Sequence, residues 1–446
     1  MNLLEIVKNI EVKYTKGKLD LEFKGISTDT RRLSEGEIFL AIKGKNFDGH
    51  DFLKEAEEKG AKAVIVEKIP EVNLKIPILL VNNTVNTLGE IAKYYRNKFS
   101  IPLIAISGSN GKTTTKDMLA YLLGLRYKVL KNEGTQNNQI GVPLTLLKLN
   151  EEYEIAVLEL GTNHFGEIEY LTKISRPNIG IILNIAPAHL EFFKTLKGVF
   201  REKINLIKGL YFPYIGILNN DDVFLNKYLK KTKKKFLLSF GIKRNADFKA
   251  ENIKLEKNRT TFFINKREFS LNTLGTFNVY NALASISVCR LFGFNYQILS
   301  KALREFEFPS QRLNLINRNG ILFIDDTYNS NPNSLNQALN VLKDFKIQGR
   351  KIAVLGDMLE LGDNALDFHF KLSRKILEIC DIIIGVGNFF GKFKDLVKAN
   401  SLKKPIFNSD NSSQAKEILF KEVKPKRGDL ILVKGSRLLE MEKILR

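Results

Sequence analysis

The chain has 446 residues, 44% hydrophobic and 27% charged, so it is long enough for two to four domains and is typical of a globular protein. Its formal net charge of +21 suits small anionic substrates. Because Trp is absent and no aromatic residue interleaves the densest lysine run, at 230–235, we expect no nucleic-acid partner and interpret that run as a surface loop.

Targeting and redox signals are weak in this chain. No apolar stretch reaches the ~18 residues of a membrane span, and Glu5 and Lys8 interrupt the start, where a signal peptide is apolar. Cys289 and Cys380 lie in apolar, helix-like stretches and fit no metal-ligand spacing. We therefore expect reduced, buried thiols and a cytoplasmic protein without a membrane span.

Residues 1–100 form the first predicted unit, a small α/β domain. Its apolar periodicity predicts a strand, a helix ended by Gly60 and a second strand, at 38–42, 51–59 and 63–66. Two polar loops, at 27–32 and 43–50, carry hydroxyl, carboxylate, guanidinium and glycine residues. Such loops serve either as turns or as ligand-binding segments, and their composition alone leaves both open.

The second predicted unit, residues 101–306, begins with the most informative segment of the chain. An apolar strand at 102–107 runs into Gly-Ser-Asn-Gly-Lys-Thr at 108–113, followed by a helical pattern. This is a shortened P-loop, because Ile106 stands where the longer motif has its first glycine. Its backbone N–H groups and helix dipole suit a polyphosphate, Lys112 can neutralise phosphate oxygens, and the Thr113 hydroxyl can ligate Mg²⁺. A plain strand-to-helix turn is the alternative.

Two more strands of this unit end in polar residues. The strand at 155–160 ends near Glu159, whose carboxylate can reach the same Mg²⁺ as Thr113; an exposed strand-end glutamate is the alternative. The strand at 179–184 leads to His189, for which position alone allows a metal or phosphate role or a structural one. The unit closes with a helix predicted from Asn278 to about 292.

Residues 307–446 repeat the alternation of strand and helix. Strands are predicted at 321–325, 351–355, 381–386 and 430–434, which indicates a second doubly wound sheet. The expected fold is therefore α/β with three domains: a small N-terminal α/β domain, a central P-loop ATPase-like parallel-sheet domain and a C-terminal Rossmann-like domain. Ligands should lie in crevices at strand carboxyl ends that face each other across domain boundaries.

Taken together, the P-loop, Glu159-Leu160-Gly161 and Ala188-His189-Leu190-Glu191 make the chain resemble the Mur ligase family. These are cytoplasmic ATP-dependent enzymes that build the peptide stem of peptidoglycan through an acyl phosphate. Motifs at 136–143, 325–332, 355–362 and 433–437 extend the resemblance over the whole chain. They imply the member that joins D-alanyl-D-alanine to UDP-N-acetylmuramoyl-tripeptide. The Asp-Asn-Pro-Arg loop of the sibling that adds diaminopimelate or lysine is absent from the sequence.

The resemblance also implies roles for individual residues. The implied catalytic residues are Lys112, His189 and Lys203. The implied Mg²⁺ ligands are Thr113, Glu159, His189 and Lys203, the last as a carbamylated lysine. The implied ATP-binding residues are Gly108, Ser109, Asn110, Gly111, Lys112, Thr113, Thr114, Asn278, Asn281, Arg312 and Asp326. The implied substrate-binding residues are Ser27, Asp29, Arg31, Asn46, Asp48, Gly49 and His50 for the UDP-sugar, with Asn137, Asn138, Tyr328, Asn329 and Asn331 elsewhere, the last three on the dipeptide side.

Some alternatives remain open from the sequence. In a chain this rich in lysine, Lys203 is otherwise an ordinary surface residue, and Asn278 can serve as a helix N-cap. Another amide ligase on the same scaffold, such as a folylpolyglutamate synthetase or a sibling Mur enzyme, is the first rival function, and a basic P-loop ATPase that binds nucleic acid is the second. We expect a monomer, and the third stem residue is either lysine or diaminopimelate.

Overall fold

Parallel strands dominate the architecture. The computed structural model describes residues 1–232, 236–256, 259–392 and 404–446. Within these ranges the strands form sheets of five, seven, three and six strands. The three larger sheets are wholly or mainly parallel, and helices connect their strands, which confirms the predicted α/β class with its two successive parallel-sheet domains.

The N-terminal sheet has the order β1-β5-β4-β3-β2, and only β1 is antiparallel to its neighbour. Its strands are β1 (Tyr14–Lys16), β2 (Ile26–Ser27), β3 (Ile38–Leu40), β4 (Ala63–Val66) and β5 (Ile78–Leu80), and its helices are α1 (Leu3–Val7), α2 (Leu53–Glu58) and α3 (Thr84–Arg96). The strand predicted to reach residue 42 ends at Leu40, because the Gly49 N–H bonds back to the Ile42 carbonyl and turns the chain. The predicted helix begins as a 3₁₀ turn, Gly49–Phe52.

The central sheet is parallel throughout, with the order β12-β11-β10-β9-β6-β8-β7. Its strands are β6 (Leu103–Ser107), β7 (Val129–Lys131), β8 (Ile155–Glu159), β9 (Ile179–Ile182), β10 (Ile215–Asn219), β11 (Leu237–Gly241) and β12 (Phe248–Lys249). The P-loop strand β6 therefore lies between the strands that lead to Glu159 and His189. The strand predicted to reach residue 184 ends at Ile182, because the Asn184 amide leaves the ladder to bond the P-loop backbone.

Helices cover both faces of the central sheet, and an antiparallel three-stranded sheet is appended to it. The helices are α4 (Lys112–Leu123), α5 (Gly141–Leu146), α6 (Glu167–Ser175), α7 (Leu190–Phe193), α8 (Leu196–Lys203), α9 (Asn205–Lys208), α10 (Val223–Lys231), α11 (Phe277–Leu291) and α12 (Tyr296–Glu305). The appended strands are β13 (Glu251–Glu256), β14 (Arg259–Ile264) and β15 (Arg267–Leu271). Met118 and Leu122 of α4 share a buried cluster with Ile286 of α11, which fixes the start of α4 beside the start of α11.

The C-terminal sheet has the order β16-β17-β21-β18-β19-β20 and is parallel except for β16. Its strands are β16 (Asn314–Arg318), β17 (Ile321–Asp326), β18 (Lys351–Gly356), β19 (Ile382–Val386), β20 (Ile406–Ser409) and β21 (Leu430–Lys434), and its helices are α13 (Pro332–Asp344), α14 (Ala365–Ile379) and α15 (Ser412–Glu417). The carboxyl ends of β17 and β21 are adjacent, so the segments that follow them emerge together.

Two sequence predictions need separate comment. Lys230 and Lys231 do not lie in a loop: they form the last turn of α10, which Asp222 caps and whose apolar face contacts the core, whereas 233–235 lie outside the described residues. Both cysteines are buried and unpaired. Among the described residues no helix is long and apolar enough to cross a membrane.

Candidate active site

A crevice of about 360 Å³ opens between the central and C-terminal domains. From the central domain it is lined by the P-loop, the first turn of α4 and the segments that follow β8 and β9. From the C-terminal domain it is lined by the segments that follow β17, β18 and β21. Its walls are thus the carboxyl ends of two parallel sheets facing each other, the place where α/β folds bind ligands.

The P-loop backbone is fixed before any ligand is present. Gly111 has φ +85°, and a Cβ there would lie 2.4 Å from Asn281 Oδ1, so only glycine fits. Ser109 and Asn110 are bonded to the segment after β9: the Asn110 N–H donates to Asn184 Oδ1 at 2.9 Å, and the Ser109 hydroxyl donates to the Ala186 carbonyl at 2.9 Å. The loop and the N-terminus of α4 therefore present a rigid anion cradle.

Thr113 and Glu159 meet at the bottom of this cradle. The Thr113 hydroxyl donates to Glu159 Oε2 at 2.7 Å, and the Asn137 amide donates to Glu159 Oε1 at 2.7 Å. Arg312 reaches across from the C-terminal domain and donates to Thr113 Oγ1 at 3.0 Å. Its guanidinium also lies 4.0 Å from the ring centroid of Tyr328, which holds it over the crevice.

Two lysines near this carboxylate have depressed pKa values. Desolvation lowers the pKa of Lys112, whose ammonium donates to the Gly108 carbonyl at 3.0 Å. Lys203, the last residue of α8, is 2% exposed, and burial followed by repulsion from Lys112 lowers its pKa to about 7. Lys203 is therefore a buried lysine beside the site and not a surface residue, and its environment favours the neutral amine more than water does.

His189 joins the two domains on the other side of the crevice. It has φ +52°, a left-handed conformation that is uncommon for a residue with a Cβ and that turns the chain sharply before α7. Its Nδ1 lies 2.5 Å from Glu360 Oε2, from the segment after β18. The contact with His189 lowers the pKa of Glu360, so the two side chains join the domains at this point.

The residues at the start of α11 form a buried amide chain. Asn278 donates to the Thr273 hydroxyl at 3.0 Å, and Asn281 donates to Asn278 Oδ1 at 3.0 Å. Thr115 of α4 in turn donates to Asn281 Oδ1 at 3.3 Å. Both asparagines line the crevice, so they brace α4 while presenting a polar wall.

The C-terminal domain contributes a buried ion pair and a cap. Lys434 donates to Asp326 Oδ2 at 2.5 Å and to the Asn329 carbonyl at 2.8 Å. Asn331 caps α13 through a capping box, and its amide donates to Asn110 Oδ1 of the P-loop at 2.7 Å. Together with Arg312 and Glu360, Asn331 bridges the two domains across the crevice.

Not every predicted site residue lies in this crevice. The Asn138 side chain instead bonds the Ile140 and Gly141 N–H groups and shapes the start of α5. The residues predicted for the UDP-sugar form two loops at the carboxyl ends of β2 and β3, outside the crevice: Ser27, Asp29 and Arg31, then Asn46, Asp48, Gly49 and His50.

Within those loops the side chains are ordered by their neighbours. The Arg31 guanidinium pairs with Asp29 at 2.8 Å and lowers the pKa of that carboxyl to about 2. The Asp48 carboxylate accepts from the His50 backbone N–H at 3.0 Å and lies 2.6 Å from its Nδ1, contacts that lower its pKa to about 2. His50 Nε2 then accepts from the Glu67 N–H at 3.0 Å, so its ring orientation is fixed.

Sequence reasoning missed several residues that shape the site. Lys434 and Glu360 fall in the motifs at 433–437 and 355–362, but no role was assigned to them. For Lys434 the sequence does carry a signal, because a lysine at the end of an apolar strand is unusual. Asn184 and Asn132 organise the backbone of the P-loop and of Glu159. Those contacts depend on the tertiary fold, so no local pattern in the sequence indicates them.

Comparisons with known proteins cover nearly the whole chain. Three family models match it in succession: "Mur ligase family, catalytic domain" at 22–96, "Mur ligase middle domain" at 106–289 and "Mur ligase, glutamate ligase domain" at 311–437. The UDP-N-acetylmuramoyl-tripeptide–D-alanyl-D-alanine ligase of Bacillus subtilis is 35% identical over 95% of this chain and 92% of its own length.

Solved structures agree with the sequence comparison. A crystal structure of MurF from Acinetobacter baumannii superposes with a TM-score of 0.90 at 32% identity, covering 100% of this chain and 97% of that one. The structure of MurF ligase from Thermotoga maritima in complex with ADP gives a TM-score of 0.82 at 30% identity, covering 95% and 96%.

Proposed function

The chain belongs to the Mur ligase family, and on that premise we propose that it joins D-alanyl-D-alanine to UDP-N-acetylmuramoyl-tripeptide with ATP. One observation carries the proposal: a P-loop, a strand-end carboxylate and an arginine from a second domain meet in one crevice, in a chain that matches ligases of this name along nearly its full length. The reaction belongs to peptidoglycan precursor synthesis, which we place in the cytoplasm.

The chemistry explains why the crevice is basic. A carboxylate is a poor electrophile, so its oxygen first attacks the γ-phosphorus of ATP, ADP leaves and an acyl phosphate forms. The dipeptide amine then attacks the acyl carbon, the C–O bond to phosphate breaks, and the amine gives up a proton to leave an amide. Both steps bring anions together, and Lys112 with the α4 N-terminus provides fixed positive charge where that negative charge develops.

Thr113 and Glu159 are suited to Mg²⁺. Both offer hard oxygen ligands, and hydrogen bonds from Asn137 and Thr113 already orient the Glu159 carboxylate. In the part of the chain that the structure describes, no group of three or more His, Cys, Asp or Glu side chains is placed to hold a metal ion. When bound, the ion would neutralise phosphate charge, and we propose that His189, which lies beside Glu360, also contributes to the site.

We also propose that Lys203 is carbamylated. As an ammonium it would stand beside Lys112 and repel a metal ion, whereas its depressed pKa provides the neutral amine that attacks carbon dioxide. A new N–C bond forms, one proton leaves, and the cation becomes an anionic oxygen donor. Its position near Glu159 and Lys112 is the support for this proposal.

The remaining crevice residues divide between ATP and the dipeptide. We assign Asn278 and Asn281 to the adenosine side, and Arg312 to the phosphates. We also assign Asp326 to the ATP side, where its carboxylate pairs with the Lys434 ammonium and holds it in place. We assign Tyr328, Asn329 and Asn331 to D-alanyl-D-alanine.

The acceptor substrate extends from the crevice toward the N-terminal domain. Asn137 is assigned to its stem peptide, and the β2 and β3 loops to its UDP-sugar. We place the domain boundaries near residues 100 and 306, just before β6 and just after α12. Because one chain supplies every wall of the crevice, we propose that the enzyme works as a monomer.

An isotope experiment tests the proposed chemistry. The acceptor stem is prepared with ¹⁸O in its terminal carboxylate and incubated with ATP, Mg²⁺ and D-alanyl-D-alanine. Direct phosphorylation of the carboxylate predicts one ¹⁸O atom in each phosphate released. Phosphate without ¹⁸O would contradict an acyl phosphate.

A further inference from the structure

Lys116 is a fully buried lysine in the second turn of α4, and its role is not explained by phosphate binding. Its side chain is 0% exposed, and its ammonium contacts the segment that follows β7. The ammonium donates to the Asn132 carbonyl at 2.8 Å and to the Gly134 carbonyl at 3.0 Å. Burying a charged lysine costs free energy unless its hydrogen bonds are made, so the ammonium and these two carbonyls depend on each other.

The segment that Lys116 holds, residues 132–137, is bonded to Glu159 at three points. Asn132 Oδ1 accepts from the Glu159 N–H at 2.9 Å, and the Asn132 amide donates to the Glu159 carbonyl at 3.1 Å. At the far end of the segment, the Asn137 amide donates to Glu159 Oε1 at 2.7 Å. The backbone and the carboxylate of Glu159 are therefore both oriented by the segment whose carbonyls Lys116 binds.

We propose that Lys116 is a positioning residue: it clamps the 132–137 segment so that Asn137 holds one oxygen of Glu159 and leaves the other facing Thr113 and the metal. This inference rests on the proposed role of Glu159 as a metal ligand. Without the Lys116 ammonium, the Asn132 and Gly134 carbonyls lose their donor inside the protein, and the 132–137 segment shifts. Because Asn137 moves with that segment, the Glu159 carboxylate is no longer held in one rotamer.

The test measures metal binding and stability in Lys116→Met, which keeps the length of the side chain and removes its charge. Mn²⁺ replaces Mg²⁺ at oxygen sites and is followed by its EPR signal with ADP present. Because residues that orient a ligand typically contribute 10–100-fold to metal affinity, we expect Mn²⁺ to bind at least ~10-fold more weakly to this variant. The Tm should fall, since the Asn132 and Gly134 carbonyls lose a buried donor, but a variant that still folds allows Mn²⁺ affinity to be measured on the native state.

Lys131→Met is the matched control. Lys131 lies just before the segment and pairs with Asp117 at 2.6 Å, the same carboxylate that lies 3.5 Å from Lys116. Its exposed ammonium touches no part of the 132–137 segment described above, so Mn²⁺ affinity should match that of the parent. A loss in the control equal to the loss in Lys116→Met would mean that general charge, and not the clamp, sets the affinity.

A double variant tests the route through Asn137. If Lys116 acts through Asn137, Lys116→Met combined with Asn137→Ala should weaken Mn²⁺ binding little more than the stronger single variant does. Losses that multiply would overturn the proposal, as would unchanged affinity in Lys116→Met. Glu159→Gln tests the proposed metal site separately from the proposed role of Lys116. If this variant binds Mn²⁺ as the parent does, Glu159 is not a metal ligand, whatever the Lys116 variants show.

Folding failure is also informative. Should Lys116→Met not fold, Lys116→Gln, whose amide can still donate to one carbonyl, is measured in the same way. A folded Lys116→Gln with weakened Mn²⁺ binding supports the clamp. If neither variant folds, Lys116 is a structural core residue and the proposal is wrong.

Discussion

At the residue scale, the site is organised around cations that have lost their water. Desolvation lowers the pKa of both Lys112 and Lys203; repulsion from Arg312 lowers the pKa of Lys112 further, and repulsion from Lys112 lowers that of Lys203. Two ammonium groups held this close are unfavourable in the free enzyme. Their repulsion is relieved when phosphate groups bind between them or when one of the two lysines changes its charge.

Lys112→Ala should reduce the rate of ADP formation by at least ~100-fold, because one preorganised charge donor is typically worth 2.7–4 kcal/mol in the transition state. The Tm should stay within about 2 °C of the parent value, since the side chain adds little to the apolar core. Exposed Lys173 of α6, changed to Ala, is the control. Near-normal turnover in Lys112→Ala would mean that the P-loop is only a turn.

Lys203→Ala should be nearly inactive, and added formate or acetate should restore part of the rate by supplying the missing carboxylate. Exposed Lys197 on the same helix is the matched control. An active variant that ignores carboxylate would exclude the carbamate.

The depressed pKa of Lys203 predicts that carbamate formation and activity depend on pH. With a pKa of about 7, the neutral amine is the main form above pH 7 and becomes scarce below it. In buffers held at constant dissolved carbon dioxide, the ¹³C carbamate signal and the activity should therefore fall together as pH drops from 8 to 6. A signal independent of pH, or located on another lysine, would contradict this assignment.

At the element scale, the sequence predicted long buried strands well and their ends less well. Apolar runs and punctuating glycines located β6, β8, β17, β18 and β21 to within about a residue. Two further strands of the central sheet, β7 and β10, were not predicted, and β7 is only three residues long. Strand ends were misplaced where a side chain such as Asn184 leaves the ladder to bond a loop.

The segment after β18 illustrates what no local pattern reveals. Fully buried His369 of α14 accepts from the Met358 N–H at 3.0 Å, and its Nδ1 lies 2.7 Å from the Ala365 carbonyl. Asp357 accepts from the backbone N–H groups of Asn388 and Phe390. These contacts fix the segment in which Glu360 lies and so place Glu360 next to His189. They join residues that are not neighbours in the sequence.

His369 should make the stability of this domain depend on pH. Desolvation lowers its pKa below the ordinary 6.5, so below pH 6.5 the unfolded chain binds a proton that the folded chain rejects, and stability falls by at most ~1.4 kcal/mol per pH unit. In His369→Gln, which has an amide donor and acceptor but no group that titrates in this range, the decrease in Tm between pH 7.5 and 5.5 should be smaller. An equal decrease in parent and variant would show that other groups dominate.

At the scale of the whole molecule, function depends on contacts between domains. Arg312 with Thr113, Asn331 with Asn110, and Glu360 with His189 each join the C-terminal domain to the central domain. The family resemblance indicated that all of these residues except Glu360 belong to the site, but the partner of each is set by how two sheets face each other. That arrangement follows from packing between domains and is not encoded in the spacing of any single motif.

The identity of the amine that the crevice accepts tests the central claim most directly. ADP release is measured with UDP-N-acetylmuramoyl-tripeptide and D-alanyl-D-alanine, supplied separately and together, and with free glutamate, lysine or diaminopimelate in place of the dipeptide. We predict rapid ADP release only when acceptor and dipeptide are both present, because a single amino acid leaves polar groups of the pocket unpaired. Equal turnover with a free amino acid, or ADP release driven by a polynucleotide, would contradict the account.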